Sequence, residues 1–359
     1  MTIPIARVRR ILLVRNDRLG DLVLTLPAFQ AVRRQWHRAH ITALVSGYTA
    51  PLLTGTRDVD EVLVDDPADS PGQLARRLRP LGFEAALVFN TNTRNCRAVW
   101  QAGIRRRVTW AYKLAGWLLG THRVKLRRSH PPVHESEFAL AFVRALGGAA
   151  VMANLSPQLR VDAATSERVA ARLRRDLGTA GPLFGVHPGN GASAYNWPPE
   201  RYIDLVNRLA RHGRVMLTGS PAEQPLVDQI RARLARTAEN RVAAYTDFTL
   251  HELVAAISLQ AALTVSSTGP MHVAGLLNTP LVALFSPHPA HAPAKWAPLG
   301  NRHTLLVAPL EPDEKASVPR ERGETVMSRI SVDDVLTANL RYAAESPSSG
   351  GYRDLARAS

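Results

Sequence analysis

The sequence predicts an α/β protein made of two Rossmann-like domains with parallel sheets, and three observations carry that prediction. Short apolar runs of strand length alternate with helically spaced segments over residues 9–89, and the alternation begins again at residue 182. The strand runs are apolar throughout, as in ILLV at 11–14 and LTV at 263–265, the pattern of a parallel sheet covered by helices on both faces. Between the two series lies a linker candidate, residues 149–164, which contains Pro157. The expected division is an N-terminal domain over 1–160, a C-terminal domain over 161–345 and a loose tail over 346–359.

The first series opens with a run of strand length from Arg9 to Arg15 and a turn from Asn16 to Gly20. A helix follows over Asp21 to Arg34, where Pro27 is expected to kink or divide it because the carbonyl of residue 23 loses its donor. Next come strands at Ile41 to Ser46, Glu61 to Val64 and Ala85 to Phe89, with a short helix at Ala50 to Leu53 and a longer one from Gln73 to Leu81. From Arg94 to Pro132 the periodicity weakens, and Trp100, Trp110 and Trp117 are scattered among basic residues. They read as core anchors or as a sugar platform, the first being the ordinary role of tryptophan. Glu135 to Leu146 is an amphipathic helix stopped by Gly147 and Gly148, and Ser166 to Leu177 reads as a basic surface helix.

In the second series, strands are expected at Pro182 to His187, Arg214 to Thr218 and Val242 to Ala244. Helices are expected from Pro199 to His212, with Pro first and Gly213 after, and from Ala222 to Leu234. Thr249 and Glu252 form a capping box ahead of Leu253 to Ile257, and Val332 to Ala344 reads as a helix. The most informative stretch is 264–286, TVSSTGPMHVAGLLNTPLVALFS, which reads strand, polar turn, helix, strand. Pro270 suits a first helical position, and Asn278 and Pro280 stop the helix. Such a turn aims backbone N–H groups and the positive end of a helix dipole at one spot, beside the Ser267 and Thr268 hydroxyls and His272. It suits a diphosphate, and it also suits a plain capped turn over a buried histidine.

Composition narrows the function classes. The 359 residues carry 45 Lys and Arg against 30 Asp and Glu, a formal charge of +15. The excess sits early: residues 1–165 hold 24 basic against 12 acidic side chains, and residues 166–359 hold 21 against 18. Clusters at Arg105, Arg106 and Arg107 and at Arg123, Lys125, Arg127 and Arg128 suggest an anionic partner, whether nucleic acid, membrane surface or phosphorylated glycolipid; an Arg-rich genome would give the same composition with no partner. One cysteine, Cys96, excludes an internal disulfide and any cysteine-based zinc site. No apolar run approaches the roughly 20 residues of a membrane span, so a soluble, cytoplasmic protein is expected. No GxxxxGK[ST], HExxH or GxSxG occurs. Gly189, Gly191 and Ala194 mimic a dinucleotide fingerprint, but Trp197, Pro198 and Pro199 intervene before the helix, which argues against a dehydrogenase.

Five segments taken together resemble glycosyltransferase family 9, which includes the heptosyltransferases of the lipopolysaccharide inner core. They are ILLVRNDRLGDLVLTLPA at 11–28, HPGNGASAYNWP at 187–198, GSPAE at 219–223, STGPMHVAG at 267–275 and TPLVALF at 279–285. The resemblance runs in order from about residue 9 to about residue 300. It implies a GT-B fold of two facing domains, with an acceptor on the first and an ADP-sugar, most simply ADP-heptose, on the second. It also implies inverting transfer to an anionic lipopolysaccharide-type glycolipid with no metal and no cofactor, by a cytoplasmic protein at the inner face of the inner membrane.

Carried over residue by residue, the resemblance makes Asp21, in the Gly20-Asp21 pair, the base. Glu223 is associated with the nucleotide ribose, Thr268, Gly269 and His272 line the diphosphate, and Gly191, Ser193, Tyr195 and Ser267 complete the donor side. Arg18, Arg105, Arg106, Arg107, Arg127 and Arg128 are the acceptor-side candidates, with no nucleic acid expected. Two positions depart from the core heptosyltransferases: Ser267 stands where they carry Asp, and Tyr195 where they carry Lys or Arg. The alternative from another class is a non-catalytic Rossmann-type protein binding nucleotide or nucleic acid.

Overall fold

A computed structural model describes residues 8–127, 132–317 and 319–345; Arg128 and the tail from Ser346 lie outside the described residues. Contacts divide the chain into two units, Met1–Arg160 and Val161–Ser359.

The first unit carries strands β1 (Arg10–Arg15), β2 (His40–Ser46), β3 (Glu61–Asp65), β4 (Ala85–Val88), β5 (Arg106–Trp110) and β6 (His122–Val124). Its helices are α1 (Leu19–Gln35), α2 (Pro71–Leu78), α3 (Thr93–Gln101), α4 (Leu114–Leu119) and α5 (Glu135–Ala145). The sheet is parallel in the order β3-β2-β1-β4-β5-β6. β1 lies between β2 and β4, with Val14 level with Leu44 and Val88. All of Ile11 to Arg15 is buried, which fits the apolar run. Because the order reverses on either side of β1, the crevice above the carboxyl ends of β1 and β4 is the natural ligand position.

The second unit repeats the plan with β7 (Leu183–His187), β8 (Arg214–Thr218), β9 (Val242–Tyr245), β10 (Ala262–Ser266), β11 (Leu281–Phe285) and β12 (His303–Val307). Its helices are α6 (Ala163–Leu177), α7 (Pro199–Leu209), α8 (Gln224–Arg231), α9 (Arg236–Glu239), α10 (Leu250–Ser258), α11 (Gly269–Leu276), α12 (Pro293–Trp296), α13 (Gly323–Met327) and α14 (Val332–Glu345). The order β12-β11-β10-β7-β8-β9 puts the reversal between β7 and β10. Trp197, Tyr202, Phe184 and Val326 belong to the core on one face of this sheet, and Leu173, Met216, Tyr245 and Leu259 to that on the other.

Several expectations change. α1 is a single helix running through Pro27, which is itself buried along with its neighbours Leu24, Leu26, Ala28 and Phe29. Packing around the helix outweighs one lost backbone bond. α6 buries Val169, Ala170, Leu173 and Leu177, so its basic face is only its outer half. The helix expected from Ala222 splits into a 3-10 turn, Pro221–Glu223, and α8, because Ser220 and Glu223 close their own capping box. The weak stretch after Arg94 folds as α3, β5, α4 and β6. Of its tryptophans only Trp110 is partly buried, edge-on to Phe138 at 5.5 Å; Trp100 and Trp117 are exposed and anchor no core. Cys96 is buried within α3 among Leu12, Val14 and Val99.

Candidate functional site

In the first unit the polar residues collect where β1 ends. Arg15, its last residue, is 3% exposed. Its guanidinium meets three carboxylates: Asp17 Oδ1 lies 3.1 Å from Nε, Asp21 Oδ1 2.6 Å from Nη2 and Glu135 Oε1 3.4 Å from Nη2. Burial works against the charge on Arg15, but the three acids outweigh it and hold its pKa above the ordinary value. One cation among three acids leaves negative charge in surplus. Burial, reinforced by Asp21 and Glu135 and only partly offset by Arg15, pushes Asp17 up to about 6. Asp17 lies in the β1–α1 turn, Asp21 in the first turn of α1, and Glu135 is the buried first residue of α5, where the helix dipole favours an acid.

Beside this cluster lies a net of amides. Asn95 Nδ2 donates to Asn16 Oδ1 and to Asn90 Oδ1, each at 2.8 Å, and Asn16 Nδ2 donates to Asp65 Oδ2 at 2.6 Å. Arg94 Nη1 spans both oxygens of Asp65 at 3.0 Å. These side chains come from the carboxyl ends of β1, β3 and β4 and the start of α3. Polar groups so bonded to one another hold each other in place.

The acceptor-side arginines divide. Arg18 and Arg105 are exposed, Arg106 is half-buried, and the exposed Arg127 lies 5.4 Å over the Tyr112 ring. Arg107 is different: its Nε donates to Leu119 O at 2.6 Å and its Nη1 to Ile104 O, and burial lowers its pKa. Its guanidinium ties β5 to the end of α4, so it is a structural residue. Arg128 lies outside the described residues.

In the second unit the site forms where β7 and β10 end. The 188–198 loop turns sharply at Gly191 and Ala192, whose φ values are 52° and 55°. The Ser193 hydroxyl lies 3.0 Å from Ser267 O, which joins this loop to the β10–α11 turn. Below them, Ser266 Oγ donates to Asn196 Oδ1 at 2.8 Å and meets Tyr202 Oη at 3.0 Å. Thr268 is the N-cap of α11 in extended conformation, makes no side-chain capping bond, and has Pro270 in the following turn. Ser267, Thr268 and Gly269 are half-buried at the mouth of the turn. His272 is 3% exposed, inside the helix rather than on that mouth.

Glu223 is committed to the loops. Its Oε2 accepts from Ser220 N at 2.8 Å and Ser220 Oγ at 2.9 Å, and its Oε1 accepts from Gly191 N at 3.1 Å. Burial opposes its ionisation, but these donors and the nearby His187 hold its pKa below the ordinary value. A Cβ on Gly189 would sit 2.1 Å from the Glu223 carboxyl carbon, so only glycine allows this approach. His187 is buried, its Nδ1 lies 2.9 Å from Thr218 Oγ1, and burial lowers its pKa against the pull of Glu223. Tyr195 lies edge-on to His288 at 5.8 Å and His291 at 5.4 Å and packs on Gly323, where a Cβ would approach its ring to 2.6 Å.

The structure thus brings Gly191, Ser193, Glu223, Ser267, Thr268 and Gly269 together, sets Tyr195 in an aromatic group with two histidines, and buries His272. It surrounds Asp21 with Arg15, Asp17 and Glu135, none of which sequence reasoning picked out. The spacing of Arg15, Asp17 and Asp21 was a usable local signal; Glu135, 120 residues away from Arg15, left none.

Comparison with known proteins identifies the family. Over 292 residues the chain is 26% identical to lipopolysaccharide heptosyltransferase 2 of Escherichia coli K12, covering 77% of this chain and 83% of that one. The solved structure of E. coli ADP-heptose lps heptosyltransferase II superposes with a TM-score of 0.79 at 22% identity over 94% of this chain and 99% of that one. A family 9 glycosyl transferase from Veillonella parvula superposes at 0.81 with 20% identity, over 96% and 99%. These two share the fold. The model of "Glycosyltransferase family 9 (heptosyltransferase)" matches residues 72–323, most of both units, and the chain belongs to that family of enzymes.

Proposed function

We propose that this chain transfers heptose from ADP-heptose, with inversion and without a metal ion, to a hydroxyl of an anionic lipopolysaccharide-type glycolipid. The observation that carries the reading is the carboxylate cluster above the β1–β4 crevice. An acceptor hydroxyl is a weak nucleophile at neutral pH and needs a base as the glycosidic bond breaks. Asp21 is that base: it takes the hydroxyl proton while the oxygen attacks the anomeric carbon and ADP departs with the bonding electrons of the opposite bond. One displacement inverts the centre. Arg15, paired to Asp21 at 2.6 Å, fixes the carboxylate's position.

On the donor side, Thr268, Gly269, Ser267 and Ser193 receive the diphosphate at the start of α11, where backbone N–H groups and the helix dipole favour the leaving charge. Gly191 gives the loop its sharp turn, and Tyr195 takes the place of a cation. Glu223 serves the ribose side by holding the Gly191 loop, and His272 supports the diphosphate turn from within α11. Arg18, Arg105, Arg106 and Arg127 meet acceptor phosphates. No cofactor takes part, and a lipid-anchored acceptor puts the work at the inner face of the inner membrane. The donor name in the E. coli structure, the family match and the excess of base in residues 1–165 support this reading.

The test is a thermal-shift panel of ADP-, UDP- and GDP-sugars followed by transfer to purified acceptor. A ligand at about 100 times its dissociation constant adds roughly 2.7 kcal/mol, a shift of several degrees. ADP-heptose is expected to give that shift and a glycosylated product. A UDP-sugar that stabilises while ADP-heptose does nothing would overturn the donor assignment.

A further inference from the structure

α4 is built inside out. Its sequence, LAGWLL, places Leu114, Trp117 and Leu118 at i, i+3 and i+4, one face of a helix. Ordinarily that face would be buried. Here Leu114 is 75% exposed, Trp117 54% and Leu118 59%. The inward face is held instead by glycine. A Cβ on Gly116 would sit 2.4 Å from Trp110 O and 2.6 Å from Thr91 Cγ2, and one on Gly120 would sit 1.9 Å from Thr109 Oγ1. Ala115 and Leu119 pack against the core beneath. The helix lies so close to the sheet at Gly116 and Gly120 that Leu114, Trp117 and Leu118 are turned outward.

Cations border the apolar face. Lys113 precedes the helix, and the Arg123 guanidinium sits 5.7 Å over the Trp117 ring while its Nε donates to Trp117 O at 2.9 Å. Arg127 lies over Tyr112, two residues before Leu114. We propose that this face of α4, Leu114, Trp117 and Leu118 bordered by Lys113, Arg123 and Arg127, docks on the surface of an anionic lipid bilayer. Three side chains offer a few hundred Å² at most, roughly half or less of the ~800 Å² per partner of a stable dimer. A short apolar wedge with adjoining cations is instead the chemistry of shallow interfacial insertion, and tryptophan is favoured at the headgroup level. The inference deepens the reading above, in which the acceptor is lipid-anchored, by naming the surface that meets the bilayer.

The test is sedimentation of the full chain with phosphatidylcholine vesicles, with and without phosphatidylglycerol, over a range of salt. The wild-type chain is expected to pellet with the anionic vesicles only. Leu114→Gln, Trp117→Gln and Leu118→Gln combined should weaken that binding at least tenfold at every salt concentration, with an unchanged melting temperature because these side chains face outward. Lys113→Gln and Arg127→Gln should each weaken it about fivefold and flatten its salt dependence. A wild-type chain that stays in the supernatant, or a triple variant that pellets like wild type, overturns the proposal. So does self-association that the triple variant abolishes while neither chain binds vesicles. The vesicles hold neither donor nor acceptor, so this outcome is independent of the transfer assay.

Discussion

The two units have the same sheet order and put their polar residues at the same place, yet they fill it with opposite chemistry. In the first, the reversal between β1 and β4 carries full charges: one buried guanidinium and three carboxylates, with amides alongside. In the second, the reversal between β7 and β10 carries hydroxyls, glycines and a helix start, and the acid there, Glu223, is spent on loop N–H groups and Ser220. A carboxylate-rich end suits taking a proton from a neutral hydroxyl. An end rich in N–H and hydroxyl donors suits holding an anion. A shared topology marks the same position in both units, and in the proposed transfer the side chains there suit each unit to a different half of the reaction.

The largest effect that would sharpen this contrast is expected from Asp21→Asn. Turnover should fall by at least about a hundredfold while ADP-sugar affinity stays near wild type, because the change touches only the first unit. Arg15 keeps Asp17 and Glu135, so the fold should survive. Turnover near wild type would end the assignment of Asp21 as base.

Asp17→Asn probes the surplus charge. The folded pKa of Asp17, about 6, lies above its ordinary value near 3.8, so the folded chain binds the extra proton. Stability from this group is full below about pH 4 and is lost as pH rises to about 6. The Asn variant should therefore be more stable than wild type at pH 7, on the order of 2 kcal/mol, and equal to it near pH 4. Melting curves over that range check it; parallel curves would mean that the three carboxylates do not compete for one cation.

In the second unit, Gly189→Ala should force the Glu223 carboxylate off Gly191 and Ser220, lowering donor affinity about tenfold, roughly 1.4 kcal/mol, with acceptor affinity unchanged. Isothermal titration with ADP distinguishes this from unaltered binding, which would detach the loop from the donor site. The smallest effect concerns His187. Its folded pKa is lowered, so its neutral form is favoured and stability falls as pH drops below about 6.5, the opposite direction to Asp17. His187→Gln should remove that acid-side loss in melting curves between pH 7 and pH 5 and leave the neutral-pH value little changed.

How much of this was legible in the sequence follows from how local each feature is. The β10–α11 turn, with Thr268 and Pro270, is contiguous, and its strand, cap and helix appear where the residues suggested. The Thr249–Glu252 capping box is likewise local and present. The region after Arg94 was opaque because its logic is reversed: β5 begins with charged residues, and α4 buries Gly116 while it exposes Leu114. Periodicity assumes that the large apolar face is the inner one. The cluster around Asp21 was half legible, since Arg15 and Asp17 are neighbours in sequence but Glu135 arrives only through the fold.

Cys96 has a practical consequence. It is buried in α3, and burial pushes its thiol pKa up to about 11, so at neutral pH it stays protonated and beyond the reach of alkylating reagents. The native chain is therefore already silent to maleimide chemistry. A cysteine introduced at an exposed position such as Leu118 would be the one reactive thiol, and a fluorophore or spin label attached there would report from that site alone with no background to remove.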